Sequence, residues 1–160
     1  MLFQIEEPDG SPLGEPEGPG AAVGIDLAAP CASVAIAIGG NAEVLASRDG
    51  SPGPETATLR NAAGKFEPAA LAAVLLALRG RAERALGRPV THAVIAVAEL
   101  LDAASQAEIG EAATASGLVP MRILAAGDAA ALGGGAGNRE AVAHGAAIAA
   151  EDDAASTSRR

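Results

Sequence analysis

Residues 66–95 read FEPAALAAVLLALRGRAERALGRPVTHAVI, and this stretch decides the fold. Its apolar positions with helical spacing are Leu71, Val74, Leu75 and Leu78. Pro68 suits the first turn of a helix, where a missing N–H costs little, and Gly87 and Pro89 end that helix. The apolar run from Ala93 to Ala98 is typical of a strand buried on both faces. A helix that leads directly into a buried strand predicts an α/β fold.

The preceding residues predict three short strands. Two apolar runs, Ala21–Leu27 and Ser33–Ile38, flank a tight break and indicate a β-hairpin. The glycines of Gly39-Gly40-Asn41 favour a turn, and the alternation over Glu43–Ser47 predicts a third strand. The elements predicted after residue 98 are a helix from Asp102 to about Ser116, a strand Arg122–Ala125, a helix Ala129–Leu132 capped by Asp128, and a helix Glu140–Ala150.

The composition predicts one domain between two polar ends. The chain has 160 residues and is 49% hydrophobic, which is enough for a single buried core. Residues 1–20 are acidic and rich in Pro and Gly, so we expect a flexible tail there. Residues 21–150 then form the domain, and residues 151–160 form a second, polar tail.

Charge and cysteine content exclude several classes of protein. The net charge of -9 argues against nucleic-acid binding, because an acidic surface repels phosphate. No apolar run approaches the roughly 18 residues of a membrane span, so we expect no membrane partner. One cysteine, Cys31, cannot form an internal disulfide and suits a reducing compartment. These features favour a cytoplasmic protein.

Several stretches, in this order, resemble the first lobe of the DnaK-type heat-shock chaperones of the actin-like ATPase superfamily. They are residues 23–27 (VGIDL), residues 43–46 with 49–50, residues 66–95, residues 105–132 and residues 140–148 (EAVAHGAAI). The resemblance implies a single lobe with an actin-like, ribonuclease-H-like mixed sheet and helices packed on it. It also implies that Gly24, Asp26, Ala28 and Ala29 occupy the positions of the family's first phosphate loop.

The departures from that family are as informative as the matches. Where the family has Gly-Thr-Thr, this chain has Ala28-Ala29-Pro30, which lacks both hydroxyls and one N–H donor. Seven residues separate Leu132 from Glu140, where the family has its whole second lobe. Only Asp26 matches the family's carboxylate near magnesium and phosphate. We therefore expect no catalytic residue, no metal site and no cofactor, and Mg-ATP stays open as an alternative.

Two groups of residues are candidate contacts for a protein partner. The apolar residues Leu2, Phe3 and Ile5 are either a remnant at the start of the chain or a docking strand. The helical arginines Arg79, Arg81 and Arg84, with Arg88 after them, are either a solvated face or a surface for an acidic partner.

Other candidate residues favour structural roles. Residues 133–137 (GGGAG) lack the Lys-Ser/Thr ending of a phosphate loop and are better interpreted as a flexible join. Cys31, His92 and His144 are too isolated in sequence to predict a nucleophile or a metal site. Lys65 has no motif that would make it a catalytic lysine.

The sequence thus predicts a non-catalytic, chaperone-like binding or assembly module that acts through a protein partner or a homodimer. A second hypothesis is a residual nucleotide-binding protein or weak ATPase whose cleft another subunit completes. Removal of the second lobe also predicts an uncovered apolar face.

Overall fold

The computed structural model describes residues 20–46, 50–51, 53–99, 101–135 and 140–159. The strands are β1 (Ala21–Asp26), β2 (Ser33–Ile38), β3 (Asn41–Val44), β4 (Val90–Val97) and β5 (Val119–Ala125). The helices are α1 (Pro68–Leu86), α2 (Ala103–Ala115), α3 (Ala126–Leu132) and α4 (Ala141–Ser158), with a 3₁₀ turn at Thr56–Leu59. This order confirms the one predicted from the sequence.

The five strands form one mixed sheet in the order β3-β2-β1-β4-β5. The first three strands are antiparallel neighbours, whereas β1, β4 and β5 run parallel. Parallel neighbours need a crossover, and α1 and α2 supply the crossovers into β4 and β5. The predicted α/β single lobe with a mixed sheet is confirmed.

Large aliphatic side chains fill the space between the sheet and helices α1 and α2. Val23 and Ile25 of β1 point to this face and pack in one cluster with Leu71 and Leu75 of α1 and Ile109 of α2. Alternate residues of a strand point to opposite faces, so the larger residues of β1 share this side. Most of the hydrophobic core therefore lies beneath α1 and α2.

Small residues line the opposite face, where α3 and α4 pack. The buried positions described in α4 are one glycine, Gly145, and six alanines: Ala141, Ala143, Ala146, Ala147, Ala149 and Ala150. A methyl group on Gly24 of β1 would overlap the backbone of Ala146 and Ala147. A methyl group on Gly145 would likewise overlap the backbone of Ala129 in α3. At these two glycines the backbone of one element therefore lies directly against its neighbour, while Val94, Leu124 and Val142 pack elsewhere on the same face.

Helices therefore cover both faces of the sheet, and the apolar face expected from a missing lobe is not a bare sheet face. Within the described ranges, the exposed large hydrophobic residues are Ile38, Leu76, Val119 and Leu132. Leu76 belongs to the outer side of α1 and is 55% exposed. Helix α4 occupies the side of the sheet opposite α1 and α2, and the uncovered apolar face expected from the missing lobe stays a prediction.

Helix α4 runs on to Ser158, past the end at Ala150 that the sequence predicts. Arg122 of β5 makes a bidentate ion pair with Asp153, with N–O distances of 2.9 and 3.2 Å. The Glu151 carboxylate accepts the backbone N–H groups of Gly39 and Gly40 in the β2–β3 turn. These contacts join the last turns of α4 to the sheet. They help to explain why the polar residues after Ala150 continue the helix.

Element ends also differ slightly from the predicted ones. Asp102 caps α2 as predicted, since its carboxylate accepts the N–H of Ser105. That hydrogen bond, assisted by the Ser105 side chain, lowers the pKa of Asp102. Asp128 is not the cap of α3, because this helix begins earlier, at Ala126, and Asp128 lies in its first turn.

Candidate functional site

The site that the sequence indicates is the loop between β1 and β2, at the carboxyl end of the parallel strands. Asp26 ends β1 and is only 2% exposed. One oxygen of its carboxylate accepts the N–H groups of Ala28, at 2.7 Å, and of Ala29, at 3.1 Å. Burial raises the pKa of Asp26, and these two hydrogen bonds oppose that rise. The backbone donors of the loop thus already have an acceptor within the chain.

A second segment packs against the same loop. The Thr56 hydroxyl donates to the Ala29 carbonyl, at 2.7 Å, and the Thr56 N–H donates to the Pro30 carbonyl, at 2.9 Å. Ala32 donates its N–H to the Pro54 carbonyl at 2.7 Å, and Cys31 forms an antiparallel bridge with Glu55. Residues 53–56 therefore lie along the β1–β2 loop and hold it closed.

The predicted phosphate-loop residues separate into two groups in the structure. Asp26, Ala28 and Ala29 lie together at the end of β1, as the sequence predicts. Gly24 lies further back along β1, against the backbone of α4. Its missing side chain is explained by this close approach of a helix.

The loop does not fit a phosphate group. Phosphate binding needs several free backbone N–H groups directed at one point. Here Ala28 and Ala29 direct their N–H groups at Asp26, and Pro30 has none. A buried carboxylate at the same place would repel the anion unless a cation lay between them. Among the described residues, no group of three or more His, Cys, Asp or Glu side chains could hold a metal ion.

The residues predicted to contact a partner fall into a group outside the described structure and a group on α1. Leu2, Phe3 and Ile5 lie outside the described residues. Arg79 is directed inward: its guanidinium donates to the carbonyls of Val90 and Ser116, both at 3.0 Å. It also pairs with Glu83 at 2.9 Å.

The other arginines of α1 are more accessible. Arg81 is half-buried and makes a long contact of 3.5 Å to the Leu45 carbonyl. Arg84 and Arg88 are exposed. Of the basic residues proposed for partner binding, Arg79 therefore has a structural role in joining α1 to β4 and α2. Partner binding by Arg81 and Arg84 stays a prediction.

Two residues important for the loop and for α4 escaped sequence reasoning. Thr56 fixes the closed loop, but a threonine in a polar connection carries no distinguishing signal. Glu151 holds the β2–β3 turn through a contact between residues more than a hundred positions apart. The run of three acidic residues 151–153 predicts a solvated helix end. Only the tertiary structure shows which of these carboxylates accept hydrogen bonds from other elements.

Comparison with known proteins now adds an independent finding. A family model described as Hsp70 protein matches residues 53–152, which is more than half of the chain. The chain belongs to the Hsp70 family. A search of curated proteins gave no match.

The matched residues of this Hsp70-family chain include all four helices, with α4 as far as residue 152. They also span the connection between α3 and α4, where the resemblance implies a second lobe. In this chain α3 and α4 pack directly together, and a methyl group on Gly133 would overlap the backbone of Ala141 and Gly145. Hsp70 membership thus relates the chain to chaperones, and the two helices that border the missing lobe contact each other.

No helix in the described part of this Hsp70-family chain has both the length and the hydropathy for a membrane span.

Proposed function

We propose that this Hsp70-family chain is a non-catalytic, chaperone-like binding or assembly module, a cytoplasmic pseudo-ATPase that acts through a protein partner or a second copy. One observation supports this proposal most strongly. The N–H groups of Ala28 and Ala29, which correspond to the family's phosphate cradle, are bonded to the Asp26 carboxylate.

Two further features support the same proposal. The loop is held from outside by Thr56, so opening it for a nucleotide would break two more hydrogen bonds. Asp26 is also only 2% exposed, so its carboxylate offers little accessible surface to a magnesium ion from solvent. The scaffold of the family domain persists, whereas the groups that would bind phosphate are engaged elsewhere.

A thermal-shift titration with Mg-ATP tests the non-catalytic part of the proposal. A ligand that binds the folded state at 100 times its Kd stabilises it by about 2.7 kcal/mol, so binding is readily detected. We expect no shift up to millimolar Mg-ATP. A clear shift in the wild type that is lost in Asp26→Asn would support the alternative, a residual nucleotide-binding protein or weak ATPase.

The partner is tested by purifying the chain from its own cell and measuring its mass by light scattering. One chain weighs 15.5 kDa. We expect a stoichiometric complex with another protein or a dimer. A species of one chain's mass at every concentration, with no companion, would contradict an assembly role.

A further inference from the structure

Helices α1 and α2 form one layer, the α1–α2 layer, whose outer side faces away from the sheet. Both helices begin at the carboxyl end of the parallel strands and end at their amino end, so they lie side by side and run in the same direction. In the middle of α1, Leu76 is 55% exposed, and Ala73 and Ala77 beside it are exposed as well. On α2 the exposed side includes Ala103 and Ala107. The centre of this layer is therefore an apolar surface open to solvent.

The two helices of the layer carry opposite charge. The charged residues of α2 are both acidic, Glu108 and Glu111, and Glu111 is exposed. The exposed charged residue of α1 is Arg84, which forms no ion pair among the described residues. Glu83, the one acidic residue of α1, is already paired with Arg79. The layer is therefore basic on its α1 side and acidic on its α2 side.

Glu108 adds an observation that points outside the chain. One oxygen of its carboxylate is buried and accepts no hydrogen bond from the described residues. Glu108 lies one turn before the buried Ala112, at the border between the buried and the outer side of α2. Buried polar atoms are nearly always hydrogen-bonded, so a donor supplied by another chain would satisfy this oxygen.

These charges decide which symmetric pairing of two layers is favourable. If the two-fold axis ran across the helices, α1 would lie on α1 and α2 on α2, with like charges together. If the axis runs along the helices, α1 of each copy lies on α2 of the other, and each Arg84 faces an acidic helix. A partner of one charge would match only one of the two helices. The layer is thus complementary to a second copy of itself.

The same axis fixes which residues meet. A two-fold axis along the helices allows no shift along them, so residues at the same level face each other. Arg79 donates to the Ser116 carbonyl, which places these two residues at one level, and the Arg84 guanidinium lies beside Gly80, next to Arg79. Glu111 lies five residues before Ser116, about 7.5 Å along α2. Charges interact over about 10 Å at 0.1 M ionic strength, so Arg84 of one copy acts on Glu111 of the other.

We propose that a second copy of this chain binds the α1–α2 layer, with Leu76 near the centre of the interface and Arg84 of each copy facing Glu111 of the other. The layer is about 28 Å long and about 20 Å wide. Its footprint of roughly 560 Å² is close to that of the smallest stable interfaces, about 600 Å² per partner, so we expect a reversible dimer. This inference rests on the proposed function and deepens it, because it names a second copy as the protein that the module binds.

Sedimentation equilibrium of the full chain measures the dimer directly. Leu76→Glu places charge at the centre of the interface and should raise the dissociation constant of the dimer at least about tenfold. Leu132→Glu is the matched control, because Leu132 is 48% exposed in α3, on the opposite side of the sheet. It should leave the dissociation constant unchanged. If circular dichroism shows that Leu76→Glu loses helix, Ala73→Glu takes its place.

Charge exchange between two variants tests the pairing of α1 with α2. Arg84→Glu and Glu111→Arg should each weaken their own dimer about tenfold, because like charges then face each other twice. An equimolar mixture of the two variants should dimerise like the wild type, since the two reversed charges meet each other and the two native residues also meet. Asp152→Arg, a charge reversal at an exposed position of α4, should dimerise like the wild type on its own.

Recovery in the mixture, together with the loss in Leu76→Glu, would support the proposal. A dimer that Leu76→Glu leaves intact, or a mixture that stays dissociated, would overturn it. A monomeric wild type that forms a specific complex with another protein would overturn this interface and leave the assembly function standing. A monomeric wild type with no companion from its own cell would contradict both.

Discussion

The two faces of the sheet are built in opposite ways. Beneath α1 and α2, large side chains such as Leu75 and Ile109 fill the space between elements. Beneath α4, Gly24 and a row of alanines let backbone approach backbone. Close-packed interiors tolerate neither voids nor excess atoms. Smaller side chains should therefore destabilise the first face, and larger side chains should destabilise the second. The same sheet therefore has two different sensitivities to mutation.

The largest expected effect is a cavity on the α1 face. Leu75→Ala removes a fully buried side chain and should lower the free energy of unfolding by about 2–5 kcal/mol, as measured by urea denaturation. The neighbouring Leu76→Ala is the matched control. Because Leu76 is exposed, we expect a change within about 0.5 kcal/mol. Equal losses for both variants would show that the two faces of α1 are not distinguished as described.

An added methyl group on the α4 face should lower the free energy of unfolding. Gly24→Ala introduces a Cβ against the backbone of Ala146 and Ala147, and we expect a loss of about 1–3 kcal/mol in the same assay. Gly110→Ala in α2 adds the same group where the described structure has no atom within 4 Å. There we expect a gain of about 0.5–1 kcal/mol from helix propensity. A stabilising Gly24→Ala would refute close backbone packing on this face.

A smaller effect should follow from releasing the end of α4. Glu151→Ala removes the acceptor of the Gly39 and Gly40 N–H groups, and the exposed site allows water to replace it. We expect a loss of about 0.5–1.5 kcal/mol and faster hydrogen exchange at these two amides. Asp152→Ala, at an exposed position beside it, should leave both amides unchanged. Unaltered exchange in Glu151→Ala would contradict the contact.

The subtlest change concerns Asp26, whose ordinary pKa of 3.8 is raised by burial. The folded state then holds this proton more firmly than the unfolded state. The resulting stabilisation is complete below the ordinary pKa and is lost as pH rises through the raised pKa. Asp26→Asn should therefore gain stability relative to the wild type as pH rises from 3 to 7. Thermal unfolding at several pH values measures this, and a relative loss at neutral pH would contradict it.

The fold was largely predictable from the sequence because its elements have strong local signals. Helix α1 is predicted by the spacing of Leu71, Leu75 and Leu78, and strand β4 is predicted by the apolar run that follows. The alternation in β1 and β2 also carries a signal for how the two faces of the sheet differ. Val23, Ile25, Val34 and Ile36 alternate with Ala or Gly, which predicts one face with large residues and one with small residues.

The candidate site was harder to predict. The sequence points to Asp26, but which group accepts the Ala28 and Ala29 N–H groups depends on the conformation of the loop, which the residue types leave open. The resemblance places Gly24 in the phosphate loop, but only the structure shows that the backbone of α4 leaves no room for a side chain there. Contacts such as Thr56 with Ala29 join residues far apart in sequence, and periodicity says nothing about such pairs.

The contact between Gly24 and Ala147 has a consequence for synthesis of the chain. β1 leaves the ribosome long before α4, so one face of this central strand stays without its helix until α4 has been synthesised. During that interval α1 and α2 can already pack on the other face. A nascent chain stalled after α3 would therefore expose the side of β1 that carries Gly24, which α4 covers in the folded protein.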